Sequence, residues 1–362
     1  MSKFQKHSKA DWLAKVTKDL KGRPLEELNF EAAGISLSPI HHREDTAGSS
    51  SITSRQDNSW EIGETILAHD VKTANAEGLH SLNNGANALY FHLGEQITAA
   101  EIPALLSDFQ PEWISLHFDL ANSTISVLEL AKALASFANE HSYDTSKMHC
   151  SFKNHKLSFQ EALGLISWLP KAKIFSIRKE LINDDLSAEY LAELLYEANK
   201  ILGQPNEENH SPRKRCELIT FEITATDHYY LNIARVRALR LLWQNILAAW
   251  NIEHQGITQI EGHLKTDQST DENTNKIRLG AQAIATVIGG VDRMYIGPSD
   301  AATNPEGNSF SKRISRNINH LLIEESHMAK VNDPAAGSYF LEHLTDVLAE
   351  KAWTIFQEKT KA

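Results

Sequence analysis

From about residue 86 onward, short apolar or β-branched runs alternate with longer stretches whose apolar residues recur at i, i+3, i+4 and i+7. Switching between a period of two and a period of 3.6 is the mark of repeated strand–helix units. The strand runs are 88–93, 113–120, 148–152, 173–178, 218–224, 257–264 and 293–296, with a last one near Lys330 and Val331. Helices are predicted over 127–141, 188–202, 229–250, 273–288, 312–325 and 344–356. Eight strands with intervening helices over roughly 275 residues match a (β/α)8 TIM barrel better than an open doubly wound sheet. No glycine-rich dinucleotide fingerprint follows the first run, which argues further against a Rossmann sheet. The expected fold class is α/β, a barrel over 86–362 preceded by an extended arm over 1–85.

The arm has no repeating unit. It holds one short amphipathic helix over 11–20, then Gly22, Pro24, Gly34 and Pro39, and a polar stretch over 43–59. Its scattered apolar residues, among them Trp12, Leu20, Leu28, Ile35, Ile40, Trp60 and Ile62, must lie against another surface to offset the entropy of ordering the arm. That surface is the barrel itself or a partner chain. His41-His42 reads as solvated loop, and Asp227 as an N-cap or first-turn anion of the helix that follows it.

Composition narrows the function classes. Of the 362 residues, 36 are Lys or Arg and 47 are Asp or Glu, a formal net charge of −11. No basic block stands out, and Arg213-Lys214-Arg215 is too short to make one, so nucleic acid and anionic membranes are not expected partners. The two cysteines, Cys150 and Cys216, stand in no CxxC or zinc spacing, which points to a reducing, cytoplasmic setting. No run of about 18 apolar residues signals a membrane span.

Strand parity gives the candidate site. In a barrel, alternate residues face the lumen and the helices, and the apolar set belongs to the helices. With Ile114, Leu116 and Phe118 outward, Ser115, His117 and Asp119 face inward. The same parity puts Thr220, Glu222 and Thr224 inward on the fifth run and Gln259, Glu261 and His263 on the sixth. Barrels usually fill this space with branched apolar side chains. Polar groups here mean a hydrogen-bonded plug, a ligand or catalytic site at the strand ends, or a His/carboxylate metal site, the last without any ligand spacing to identify it. There is no G-x-S-x-G elbow, phosphate-binding loop or HExxH.

The last 145 or so residues resemble the barrel domain of methylmalonyl-CoA mutases. The likeness rests on the run from Ile233 to Arg240 followed by Leu242-Trp243, and on Arg313-Ile314-Ser315-Arg316-Asn317 and Glu324-Glu325-Ser326-His327. It extends through the run from Val331 to Tyr339, then Glu342, Leu344-Thr345 and Lys351-Ala352-Trp353. Gly289-Gly290-Val291-Asp292-Arg293-Met294, with Pro298 and Asp300, resembles the small, non-catalytic subunit of the heterodimeric enzymes. The arm agrees through Trp12, Leu20-Lys21-Gly22, Leu28, Gly34-Ile35, Pro39, Asp45, Trp60-Glu61-Ile62 and the run from Asn84 to Leu89. The resemblance is strongest at both ends and loose between about 95 and 215.

It implies a component of an adenosylcobalamin-dependent enzyme that interconverts methylmalonyl-CoA and succinyl-CoA. The family's cofactor caps one barrel mouth and its pantetheine chain runs through the lumen. Ile40-His41-His42-Arg43 departs from the Thr-Met-Arg arm of catalytic subunits, a substrate-contacting Arg is replaced near Leu218, and the Gly-Tyr-His segment is missing. The Asp-x-His-x-x-Gly run of the cobalamin domain is not met before Ala362. The expectation is therefore a non-catalytic subunit that stabilises a catalytic large subunit, with a homodimer open to it when isolated. Adenosylcobalamin belongs to the complex, none being held tightly by this chain, and no metal or catalytic residue is expected. Two alternatives stay open: a catalytic mutase barrel completed by a separate cobalamin-binding chain, and a diverged barrel that binds another small molecule.

Overall fold

The computed structural model describes residues 7–42, 55, 57–155, 157–204, 211–253 and 258–361. A small antiparallel hairpin, β1 (Phe30–Ala32) and β2 (Ile35–Leu37), comes first. Its two-residue turn, Ala33-Gly34, has positive φ at both positions, 57° and 61°, as the twist-matched hairpin turn requires. Eight parallel strands follow: β3 (Glu61–Ala68), β4 (Ala88–Leu93), β5 (Ser115–Asp119), β6 (His149–Lys153), β7 (Phe175–Ile177), β8 (Ile219–Thr224), β9 (Ile260–Leu264) and β10 (Arg293–Ile296). Their order is β6-β5-β4-β3-β10-β9-β8-β7. The ends of that series meet at a single bridge, Ser151 to Lys173. There Lys173 N donates to Cys150 O at 2.8 Å and Phe152 N to Lys173 O at 3.1 Å. The architecture is a (β/α)8 barrel.

Two expectations need correcting. The barrel begins at Glu61, inside the stretch read as arm, and not near residue 86. The run at Lys330 and Val331 is no strand: 328–330 forms a 3-10 turn. The first strand escapes a parity reading because its helix-facing side carries Glu64 among Ile62, Ile66 and Ala68, and because Gly63 interrupts it. Glu64 is matched by Arg316, whose Nε and Nη2 donate to it at 2.7 and 2.9 Å. Asp227 is also misread: the N-cap position belongs to His228, with no side-chain cap. Asp227 instead accepts from Arg278 Nε at 3.0 Å and Gln282 Nε2 at 3.2 Å.

The helices form where capping and pattern agree. Helix 127–140 opens on a capping box between Ser126 and Glu129, which satisfies two otherwise free N–H groups. Its buried Leu130, Leu134 and Phe137 lie on one face. Helix 229–249 is buried nearly all round, arginines included. Arg235 donates to Asp184 at 2.8 Å, Arg237 pairs with Asp333, and Arg240 reaches Gly290 O at 2.7 Å and Asp292 at 2.9 Å. The Arg-rich motif is thus a set of clips from one helix to three loops. Arg240→Met is expected to cost about 1 to 3 kcal/mol by chemical denaturation, because it leaves Gly290 O without its donor while Asp292 keeps Ile260 N and Arg55. A loss below about 1 kcal/mol, the size of an exposed ion pair, would show that the clip is dispensable.

Helix-facing side chains gather into two large clusters. One holds Leu89, Phe91, Leu116, Phe118, Leu134 and Phe152 from β4 to β6 and their helices. The other holds Ile35, Trp60, Phe221, Leu239, Trp243 and Leu348. The hairpin therefore packs on this chain's own barrel: Phe30 meets Tyr230 and Phe340 edge-on at 6.0 and 5.4 Å. Trp60 donates from Nε1 to Asn319 at 2.9 Å, and His41 packs against Phe340 and His343. Among the described residues no helix is long and apolar enough to cross a membrane.

Candidate functional site

Parallel registry places Tyr90, His117 and Ser151 side by side across β4, β5 and β6, and Glu222 beside Glu261 across β8 and β9. Arg293 lies between Glu61 on β3 and Glu261 on β9. At these positions the side chains meet in the lumen. Lys153 Nζ is 3.0 Å from Glu222 and also bonds Glu261. Arg293 Nη1 donates to Glu261 at 2.6 Å, and its Nε donates to Glu61 at 2.6 Å. Two cations thus face three carboxylates. Ser115 Oγ donates to Glu61 at 2.6 Å, and Ser176 donates to Glu222. The Lys153 ammonium also sits over the Tyr90 ring at 4.4 Å.

This network closes the barrel. Glu261, Lys153, Arg293, His117 and Tyr295 are 0, 1, 2, 2 and 3 % exposed, so no water-filled passage runs beside them. Tyr295 contributes by lying over Gly63, where a Cβ would stand 2.4 Å from its ring. Burial alone would raise the Glu261 pKa, yet Lys153 and Arg293 outweigh it and hold the carboxyl well below its ordinary range. For Glu222, burial is likewise outweighed by Lys153 and His263, so its pKa is lowered. Burial drives the His117 pKa well below the usual imidazole value, so this ring is neutral. Its Nδ1 is 2.6 Å from Ser151 Oγ.

The other residues singled out by parity are placed as follows. Asp119 accepts from Tyr90 Oη at 3.1 Å, Asn154 Nδ2 at 2.5 Å and Ala121 N at 2.9 Å, with His92 Nδ1 at 3.1 Å. Burial pushes its pKa up, but the bonds from His92, Asn154 and Ala121 pull it well below the ordinary value. His263 Nε2 stands 3.5 and 3.7 Å from Glu261 and Glu222, and its ring stacks on Tyr295 at 4.9 Å. Thr220 donates to Gln259 O at 3.4 Å, whereas Gln259 lies just before β9 and joins the site only through its backbone. Thr224 faces a cavity at the C-terminal ends of the strands. Residues missed by parity are Glu61, Tyr90, His92, Ser151, Lys153, Ser176, Arg293 and Tyr295. The signal was present for most of them: the inward parity of 148–152 continues from Ser151 to Lys153, and that of 293–296 gives Arg293 and Tyr295.

Glu222, Glu261 and His263 bring one donor atom each within 4.8 Å of one another, a set a divalent ion can use. The Lys153 ammonium already holds that position against both carboxylates. Neither cysteine offers a nucleophile, since burial pushes both thiols up to about 12.

Fold and lumen together define a (β/α)8-barrel protein whose axis is closed by ion pairs. Residues 207–362 match the family described as methylmalonyl-CoA mutase. The methylmalonyl-CoA mutase small subunit of Porphyromonas gingivalis is 28% identical over 392 residues, covering 98% of this chain and 63% of that protein. The probable small subunit of Mycobacterium tuberculosis is 36% identical over 146 residues, 38% of this chain and 24% of that one. The small subunit of Propionibacterium freudenreichii subsp. shermanii is 32% identical over 158 residues, 43% and 25% respectively. The matches span less than two thirds of the length of each of these relatives. Over residues 207–362 the chain is thus similar to the methylmalonyl-CoA mutase family, and over nearly its whole length it is similar to a small subunit of that enzyme.

Proposed function

We propose that this chain is a non-catalytic barrel subunit of an adenosylcobalamin-dependent methylmalonyl-CoA mutase, pairing with a catalytic large subunit in the cytoplasm. The observation that carries the reading is the closed lumen. In the family's reaction a pantetheine chain must reach an acyl site beneath the cofactor, and here that path is taken by Lys153, Glu261, Arg293 and Tyr295. The residues present therefore do not fit the cobalamin-driven reaction inside this barrel, and no step of it is assigned to them. Lys153 and Arg293 are held by their carboxylates, so neither is a free receiver for a thioester carbonyl. The same observation disfavours a catalytic barrel completed by a separate cobalamin-binding chain. Adenosylcobalamin would act in the complex, on the partner's side.

Two measurements test this. Co-expressed with a large mutase subunit, the chain should co-purify with it as a heterodimer. Alone with added adenosylcobalamin, it should show no isomerisation of methylmalonyl-CoA above a protein-free control. Turnover by the isolated chain that disappears when the cofactor is withheld, or failure to associate with the large subunit, would overturn the reading.

A further inference from the structure

The closed lumen leaves a cavity of about 1070 Å³ at the C-terminal mouth, where βα loops collect. Its floor includes Tyr90, Glu222, His263 and Tyr295, and its rim includes Arg178 from the loop after β7 and Lys265 from the loop after β9. Cavities at this face of a barrel are where ligands bind, because the loops vary while the strands hold their positions. The rim charges are not committed elsewhere. Among the described residues, neither Arg178 nor Lys265 has an ion pair or a side-chain hydrogen bond, whereas their neighbour Lys179 stands 3.8 and 3.7 Å from Glu193 and Glu197. Among the described residues Glu180 is the one acid on that rim, and Glu222 on the floor is occupied by Lys153 and Ser176. On a chain of net charge −11, two free cations facing one cavity do not follow from a general basic excess.

The floor supplies an independent observation. Tyr295 is 3 % exposed, and its Oη has no hydrogen-bond partner among the described residues. A buried hydroxyl left without a partner is costly. Burial pushes its pKa well above the ordinary tyrosine value, so it remains a donor. Thr65 and Thr224 add hydroxyls lining the same cavity. A planar guanidinium, an ammonium and several hydroxyl donors around one space match a group with many acceptor oxygens and high charge.

We infer that the C-terminal mouth of this barrel binds a small molecule carrying a phosphate group, with Arg178 and Lys265 as its charged receivers. The inference is independent of partnership with a large subunit, since every residue named for it belongs to this chain. Calorimetric titration of the full chain with sodium pyrophosphate, at ionic strength held by sodium chloride, should show saturable one-site binding. Arg178→Ala and Lys265→Ala should each weaken it tenfold or more. Both side chains are exposed, so the unliganded melting temperatures should match that of the unaltered chain. Lys171→Ala, before β7 and so at the opposite end of the barrel, should leave binding unchanged. Three results would overturn the assignment: no saturable pyrophosphate binding, equal weakening by Lys171→Ala, or succinate binding as tightly as pyrophosphate.

Discussion

Glu261→Ala should destabilise the chain by about 3 to 5 kcal/mol, the cost of stranding a buried ion's partners. Glu261 is wholly buried and bonds both Lys153 and Arg293. Removing its carboxylate leaves two buried cations sharing what remains of the compensation, Glu222 and Glu61. Removing Glu261 together with Lys153 is a different experiment, because Arg293 keeps Glu61 and Glu222 keeps Ser176 and His263. Glu261→Leu combined with Lys153→Met should therefore cost less than the sum of the two single changes. Urea denaturation of Glu261→Ala, the two single changes and their combination, four variants in all, checks both statements. A Glu261→Ala chain as stable as the unaltered one would mean that the lumen admits water and that the barrel is not plugged.

The second large effect is acid lability, and its sign follows from proton counts. His117 is neutral when folded, its pKa depressed by burial, while in the unfolded chain it protonates near about pH 6.5. Below that pH the unfolded state binds more protons, so stability begins to fall. Glu222, Glu261 and Asp119 also have depressed pKa values when folded. Their contribution is complete above the unfolded values of roughly 4 to 4.5 and is lost as pH drops through the folded ones. The unfolding free energy should thus decline gently below about pH 6.5 and steeply below about pH 5. His149 and His155, also depressed by burial, add to the upper phase, so His117→Gln should shrink that phase and leave the lower one. A stability that stays flat down to about pH 4 would contradict the depressed carboxylate pKa values.

Much of this molecule is legible in the sequence, and what is not has physical reasons. Seven of the barrel strands announce themselves by apolar runs, because their helix-facing residues are uniformly apolar, as with Leu116 and Phe118 or Ile219, Phe221 and Ile223. Glu61–Ala68 breaks that rule with Glu64, whose acceptability depends on Arg316, some 250 residues away. Local pattern holds no trace of such a match. In the lumen, parity finds the carboxylates and histidines but says nothing about reach. Lys153 joins Glu222 and Glu261 only because a long, flexible stem crosses the barrel, and that crossing is a property of closure. Asp227 illustrates the converse, a residue whose local role as a cap yields to Arg278 on another helix.

Consider where the lumen's ion pairs run. The strand order places β3 to β6 on one side of the sheet and β10 to β7 on the other, and the two large apolar clusters follow nearly the same division. Lys153 belongs to the first half, Glu222 and Glu261 to the second; Glu61 belongs to the first, Arg293 to the second. Each of these bonds crosses the junction between halves, one seam of which has only the Ser151–Lys173 bridge. Apolar filling of equal volume would hold the halves together as firmly, yet it would tolerate a sliding of one against the other. Opposed charges at fixed heights accept a single alignment, so the barrel interior works as a key that selects the correct docking of its own two halves.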